Sequence, residues 1–315
     1  MKPWHRLRLP WAAPAAPALA DPVDHPYRAP LFLLRPPADP AVPFHTALPS
    51  LAEPVSQLCT ANQMAEPTYR DWCAEMDIPP DRHRKFWEWC YILQALRGTG
   101  MLAPNRRLLG FGTGREPLPS VMAKYGATVL ATDAPQGVDD VQGWASTNQH
   151  AQAVRDLHHP AIVAEADFNA RVDFRTADMN AIPDDLRGFD ACWSSCCFEQ
   201  HLGSIAHGLD FVENSLQTLR PGGIAVHTTE FNLDSNDSTV ETAGLSLFLK
   251  RDFEALIARL IAKGHEVWPL NTHPGYDEVD QIVDLPPYQR ALPHLKIVVY
   301  ETTVTSIGLV VRRAP

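Results

Sequence analysis

Residues Leu108-Leu-Gly-Phe-Gly-Thr-Gly114 decide the fold. An apolar strand runs into three closely spaced glycines and then into a helix-forming stretch. Glycine lets the backbone approach a ligand where any Cβ would collide, and the turn presents amide donors at a helix start. Nineteen positions beyond Gly114 the strand Thr128-Val-Leu-Ala-Thr132 ends in Asp133. A carboxylate at the tip of the second strand is placed to hold a ribose diol. The two features together describe an adenosine site.

Outward from this loop the chain alternates strand and helix signals. Strands are expected at 107–110, 127–132, 172–176, 189–194 and 224–229, with helices at 117–125, 204–219 and 250–263, a strand at 266–270 and a β-rich end at 296–312. A long polar, partly helical passage fills the gap to about Asn169. Strands separated by helices imply an α/β fold: a Rossmann-like, doubly wound, mostly parallel sheet, here of seven strands. Upstream, residues 55–103 carry apolar residues at three- and four-residue spacing, including Trp72, Met76, Phe86, Trp89, Ile92 and Leu96, and read as a helical lid or substrate wall. Asp81 is the expected N-cap of the second helix, and Gly98 and Gly100 close it. Residues 1–54 are crowded with proline and read as an extended arm, because each ring removes a donor and fixes φ. Residues 104–315 form the ligand-binding domain.

Composition narrows the function. A net charge of −10 disfavours nucleic acid, whose binding needs a basic face to displace counterions. The run Arg82-His-Arg-Lys85 is read as a solvated helix face. Six cysteines in 315 residues do not form a disulfide scaffold and fit reduced thiols in a cytoplasmic protein. No apolar run reaches the ~18 residues that span a bilayer. Lys2, Arg6 and Arg8 before an alanine-rich stretch imitate a signal peptide, but Pro10, Pro14 and Pro17 interrupt it.

A dinucleotide site would place its third glycine three positions after the second, where this chain has Arg115. The spacing Gly-x-Gly-x-Gly instead resembles that of class I S-adenosylmethionine-dependent methyltransferases. Other landmarks follow in order: Ala177-Asp178-Met179 is similar to the acidic loop after the third strand, Phe189-Asp-Ala-Cys-Trp-Ser-Ser195 to the fourth strand, and Leu219-Arg-Pro-Gly-Gly-Ile-Ala-Val226 to the turn into the fifth. The resemblance covers roughly residues 105–312. It implies S-adenosyl-L-methionine as cofactor, held by Gly110, Phe111, Gly112, Thr113, Gly114, Glu116, Asp133, Asp178, Met179 and Ser194. One departure is Leu108, where the family usually carries an acid, and Glu116 is the expected substitute. More narrowly, Arg82-His-Arg-Lys-Phe-Trp-Glu88, the glycine loop and His227-Thr-Thr-Glu-Phe-Asn232 resemble a bacterial methyltransferase group associated with glycan-related genes.

Ligands of open parallel sheets sit beyond the carboxyl ends of the strands, so the loops 195–203 and 229–237 face the acceptor. O- or N-methylation of a small-molecule or sugar-like acceptor needs a base, and the candidates are His201 first, then Glu230, then Glu199. His201 is equally a capping residue, and Glu230 a loop brace. His227, inside an apolar strand, reads as a satisfied core histidine, and Cys196 and Cys197 as buried small hydrophobes. A divalent metal is the sharp alternative, since the resemblance implies that some such enzymes use one to acidify the acceptor hydroxyl. Glu199, His201, Glu230, His273 and Asp277 offer ligand atoms but lack a tight spacing signature, so no metal ligand is assigned. Two other classes stay open: an NAD-dependent oxidoreductase using the same glycine loop and Asp133, and a non-catalytic cofactor-binding regulator. The oligomeric state is left open.

Overall fold

The computed structural model describes residues 26–135 and 151–315, without the side chains of Gln200 and His201. The first part of the expected arm, part of the polar passage before Asn169 and the imidazole of His201 therefore lie outside the described residues.

Five strands run parallel: β1 (Arg107–Phe111), β2 (Thr128–Asp133), β3 (Val172–Thr176), β4 (Phe189–Ser195) and β5 (Leu219–Asn232). Four more follow, β6 (Glu266–Val267), β7 (Val283–Asp284), β8 (Lys296–Val299) and β9 (Thr302–Arg312). The order across the sheet is β7-β8-β9-β5-β4-β1-β2-β3, with β6 on β9. β9 lies antiparallel to β5, β6 and β8. All seven expected strands have counterparts, β6 among them, and the sheet reaches nine because the β-rich end divides into β8 and β9 and because the two-residue β7 joins its edge. Pro269 ends β6 early, since proline cannot donate to a ladder. β5 begins at Leu219, before the expected turn, with a register shift opposite Phe189 and Ala191.

Both faces of the sheet are covered, as alternate residues show. Leu108, Val129, Ala191, Trp193, Ile224 and Val226 enter one core, while Leu109, Cys192, Ala225 and Leu309 enter the other. Helices α1 (Pro67–Glu75), α2 (Arg84–Gly98) and α3 (Leu118–Lys124) supply the first core. The single turn α4 (Phe198–His201) leaves β4, and α5 (Ile205–Ser215) and α6 (Lys250–Ala262) supply the second core. α5 starts where the Ser204 hydroxyl accepts from His207 N at 3.1 Å.

α2 lies on the sheet across β9, β5 and β4. Its buried Trp87 and Tyr91, one turn apart, stack at 5.0 Å, and Gly308 of β9 receives the Tyr91 ring: a Cβ there would sit 2.1 Å from it. The N-cap is His83, whose Nδ1 accepts from Lys85 N at 3.1 Å, and not the expected Asp81. The described part of the arm is held by backbone bonds such as His45 N to Leu270 O, 2.8 Å, with a single 3-10 turn at Leu31–Leu34.

Candidate active site

The order β3-β2-β1-β4-β5 places β1 beside β4 at the switch point of the sheet, where open parallel sheets hold ligands in the crevice beyond the carboxyl ends. The glycine loop leaves β1 at that end. Gly112 and Gly114 have φ of +55° and +51°, the left-handed region where a side chain is strained. Gly110 is bound to be small for another reason, since a Cβ there would lie 2.4 Å from the Trp193 ring. Thr113 N donates to Thr132 O at 3.0 Å and Thr132 Oγ1 to Gly110 O at 2.7 Å, tying the loop to β2. Asp133 completes the tie: its carboxylate accepts from Gly114 N at 3.2 Å, Ala134 N at 2.9 Å and Ala151 N at 3.1 Å. Phe111 packs edge-on against Phe211 at 5.2 Å, under the loop.

Met179 and Asp178 stand at the exit of β3. The Met179 sulfur lies 3.9 Å from Cys197 Sγ, and Cys197 packs over Gly112, so the ends of β1, β3 and β4 converge. Asp178 caps the turn Met179–Ala181 by accepting from Asn180 N at 2.8 Å. Ser194 turns away from the crevice: its hydroxyl bonds His227 Nδ1 at 2.7 Å, and His227 Nε2 reaches Ser215 Oγ at 3.0 Å. His227 is thus a satisfied core histidine, and burial pushes its pKa down to about 3.

A charge cluster closes the wall above β4 and β5. Arg84 is buried, with Nη1 on Glu88 at 3.3 Å, Ser306 Oγ at 3.1 Å and Cys196 Sγ at 3.4 Å, and Nη2 on Glu230. Lys85 Nζ reaches Glu116 at 2.9 Å, Glu88 at 3.4 Å and Ser195 O at 2.8 Å. Burial pulls Lys85 down, but Glu116 and Glu88 outweigh it and hold the amine charged. The reading of 82–85 as a solvated face is therefore corrected: two of its four residues are consumed inside the protein. Glu116 faces Lys85, while the atypical Leu108 is an apolar core residue.

Glu199 and Glu230, both expected at the site, do come together. They group with Cys196, one ligand atom of each lying within 4.8 Å of the others. Thr229 Oγ1 donates to Glu199 Oε2 at 2.8 Å. Burial, then the charge of Glu230, push Glu199 up to about 7. Cys196 sits in the left-handed region at φ +50°, and burial raises its thiol pKa well above the usual range. His201 belongs to the same turn as Glu199. His273 and Asp277 are outside this group: His273 Nδ1 accepts from Gly275 N, and Asp277 caps the turn Glu278–Gln281.

Sequence reading missed Arg84, Lys85, Glu88 and a histidine pair. His83 stacks on His294 at 4.6 Å, and Asp284 holds His294 Nδ1 at 2.8 Å. The signal for the cluster was Glu88, an acid among aromatics three and four positions after two cations. Nothing local in sequence joins His83 to His294.

No family model and no curated protein matches the sequence. Solved structures do show likeness. The chain is similar to the cyclase SpnF at 17% identity, covering 71% of this chain and 82% of that one, with a TM-score of 0.43. It is similar to magnesium protoporphyrin IX methyltransferase from Synechocystis with bound SAH at 12% identity, covering 72% and 82%, TM-score 0.41. For the CcbJ methyltransferase from Streptomyces caelestis the values are 13%, 76% and 98%, and 0.39. All three likenesses are distant.

Proposed function

We propose that this chain is an S-adenosylmethionine-dependent methyltransferase that acts at oxygen or nitrogen of a small-molecule or sugar-like acceptor. The observation that carries the reading is the union of the Gly110–Gly114 loop with Asp133 across the ends of adjacent parallel strands, Gly114 N lying 3.2 Å from the carboxylate. The residues present fit the cofactor. Asp133 suits the ribose and Met179 an apolar wall beside it, while the surplus of carboxylates suits a fixed positive charge. When bound, the cofactor supplies a methyl group on a positively charged sulfur. The chain's own part is to hold the acceptor in line, exclude water, and take its proton at Glu199 or Glu230, with His201 of the same turn as a further acceptor.

Arg84 and Lys85 are engaged internally, so these two cations of the run 82–85 are not presented to nucleic acid. Six buried, unpaired thiols favour a cytoplasmic protein. Among the described residues no helix is long and apolar enough to cross a membrane. Titration calorimetry of the full chain tests the reading: S-adenosylhomocysteine is expected to bind, and NAD to give no heat. Binding of NAD without S-adenosylhomocysteine would reverse it in favour of the oxidoreductase.

A further inference from the structure

We infer that Cys196, Glu199 and Glu230 form a binding site for a divalent metal ion of the zinc class. Cys196 Sγ and one oxygen of each carboxylate lie within 4.8 Å of one another, all three residues buried. Each carboxylate is anchored by one oxygen only. Glu199 Oε2 accepts from Thr229, and Glu230 Oε1 takes the Arg84 guanidinium. The other oxygens, Glu199 Oε1 and Glu230 Oε2, are shut away from water without a hydrogen-bond partner among the described residues. Bare buried carboxylate oxygens are costly, and native structures rarely keep them without a ligand. An outer donor fixing one oxygen while the second is left for the ion is how metal-binding carboxylates are oriented.

Charge points the same way. Arg84 and Lys85 pair with Glu88, Glu116 and Glu230, and Glu199 stands beside Glu230; with Cys196 as thiolate, five negative groups face two cations and the ionised cluster lacks three positive charges. A dication supplies two of these three charges, where a single fixed cofactor charge supplies one. One thiolate with two carboxylates is too soft a set for magnesium or calcium and suits zinc, cobalt or ferrous iron. Three protein ligands leave a fourth position open, as in reactive zinc sites. The site does not depend on the proposed methyl transfer. If that reading holds, the open position would polarise an acceptor hydroxyl, and with Glu199 and Glu230 held by the ion the proton would fall to His201, the remaining candidate base.

The test uses chelator-treated full chain titrated with cobalt(II), followed by absorption, and zinc K-edge absorption of the zinc-loaded protein. We expect one equivalent of cobalt with a thiolate-to-metal charge-transfer band, and one sulfur at about 2.3 Å with oxygens at about 2.0 Å around zinc. Cys196→Ser abolishes the band. Thr229→Val keeps the band and weakens binding by roughly tenfold, the usual effect of losing an outer donor. No stoichiometric binding, a shell of oxygen and nitrogen only in the wild type, or a band that survives Cys196→Ser would overturn the site. The wild-type spectra decide even where a variant fails to fold. Calorimetry with S-adenosylhomocysteine on metal-free protein shows separately whether the methyltransferase reading stands.

Discussion

Arg84, in the first turn of α2, and Glu230, near the end of β5, form a buried ion pair across 146 residues of sequence. Breaking a buried pair by removing one partner leaves an uncompensated charge, which destabilises by about 3–5 kcal/mol. Arg84→Met is therefore expected to lose that much in urea unfolding at pH 7. Arg84→Met combined with Glu230→Gln removes both charges and should recover a large part of the loss. A single-variant loss below about 1 kcal/mol would show that water reaches the pair.

Gly112→Ala is expected to reduce S-adenosylhomocysteine affinity at least tenfold. A Cβ at φ +55° would be strained by about 1–2 kcal/mol and would lie 2.8 Å from Cys197 Sγ, pushing the loop off the crevice. Gly222→Ala is the control, with φ +74° and nothing within 4 Å. It should lower the melting temperature through backbone strain alone and leave the affinity unchanged. Equal effects of the two on affinity would mean that the loop does not shape the ligand site.

His227 sets a pH dependence of stability. Its folded pKa, near 3, lies below the unfolded value of 6.5, so its contribution is intact above pH 6.5 and is lost as pH falls toward 3. The loss in that window is about 1.4 kcal/mol per pH unit. Between pH 7.5 and 5 the wild type should lose about 2 kcal/mol more than His227→Gln, whose amide still reaches Ser194 or Ser215. Glu199 has the opposite sign, since its folded pKa near 7 is raised, and it cancels in the difference. Parallel pH curves for the two proteins would mean that His227 is not buried neutral.

How much of this was legible follows from range. The glycine loop, Asp133, the strand order and the core position of His227 rest on spacings within one strand–helix unit, and periodicity reports those. The Arg84–Glu230 and His83–His294 contacts join elements far apart in sequence, which local pattern cannot report. β7, only two residues long, is too short to carry a period. Ser194 illustrates a subtler limit: its position on β4 was read, but side chains alternate along a strand, and its hydroxyl faces His227 and not the loop.

The docking of α2 predicts a compensating pair. Gly308→Ala should destabilise by about 1–3 kcal/mol, because the added methyl would lie 2.1 Å from the Tyr91 ring in a packed core. Tyr91→Leu removes the ring and its bond to Val55 O at 2.6 Å, and is destabilising on its own. The double variant should be more stable than the sum of the two losses predicts, a coupling of about 0.5–3 kcal/mol in a thermodynamic cycle. Strict additivity would place α2 off the sheet.

Asp133→Asn separates charge from shape at the tip of β2. The carboxylate accepts from three backbone N–H groups, and an amide of the same size turns its NH2 toward at least one of them. Hydrogen bonds to a charged group contribute about 1.5–3 kcal/mol each, so the loop loses its tie to β2 together with the candidate ribose acceptor. At about 1.4 kcal/mol per factor of ten, S-adenosylhomocysteine affinity should fall roughly 10- to 100-fold, with binding enthalpy reduced. Asp178→Asn, which keeps an acceptor for Asn180 N at a half-buried turn, should change affinity less than fivefold. If Asp133→Asn binds as tightly as the wild type, the carboxylate braces the loop only, and the ribose, if bound at all, is held elsewhere.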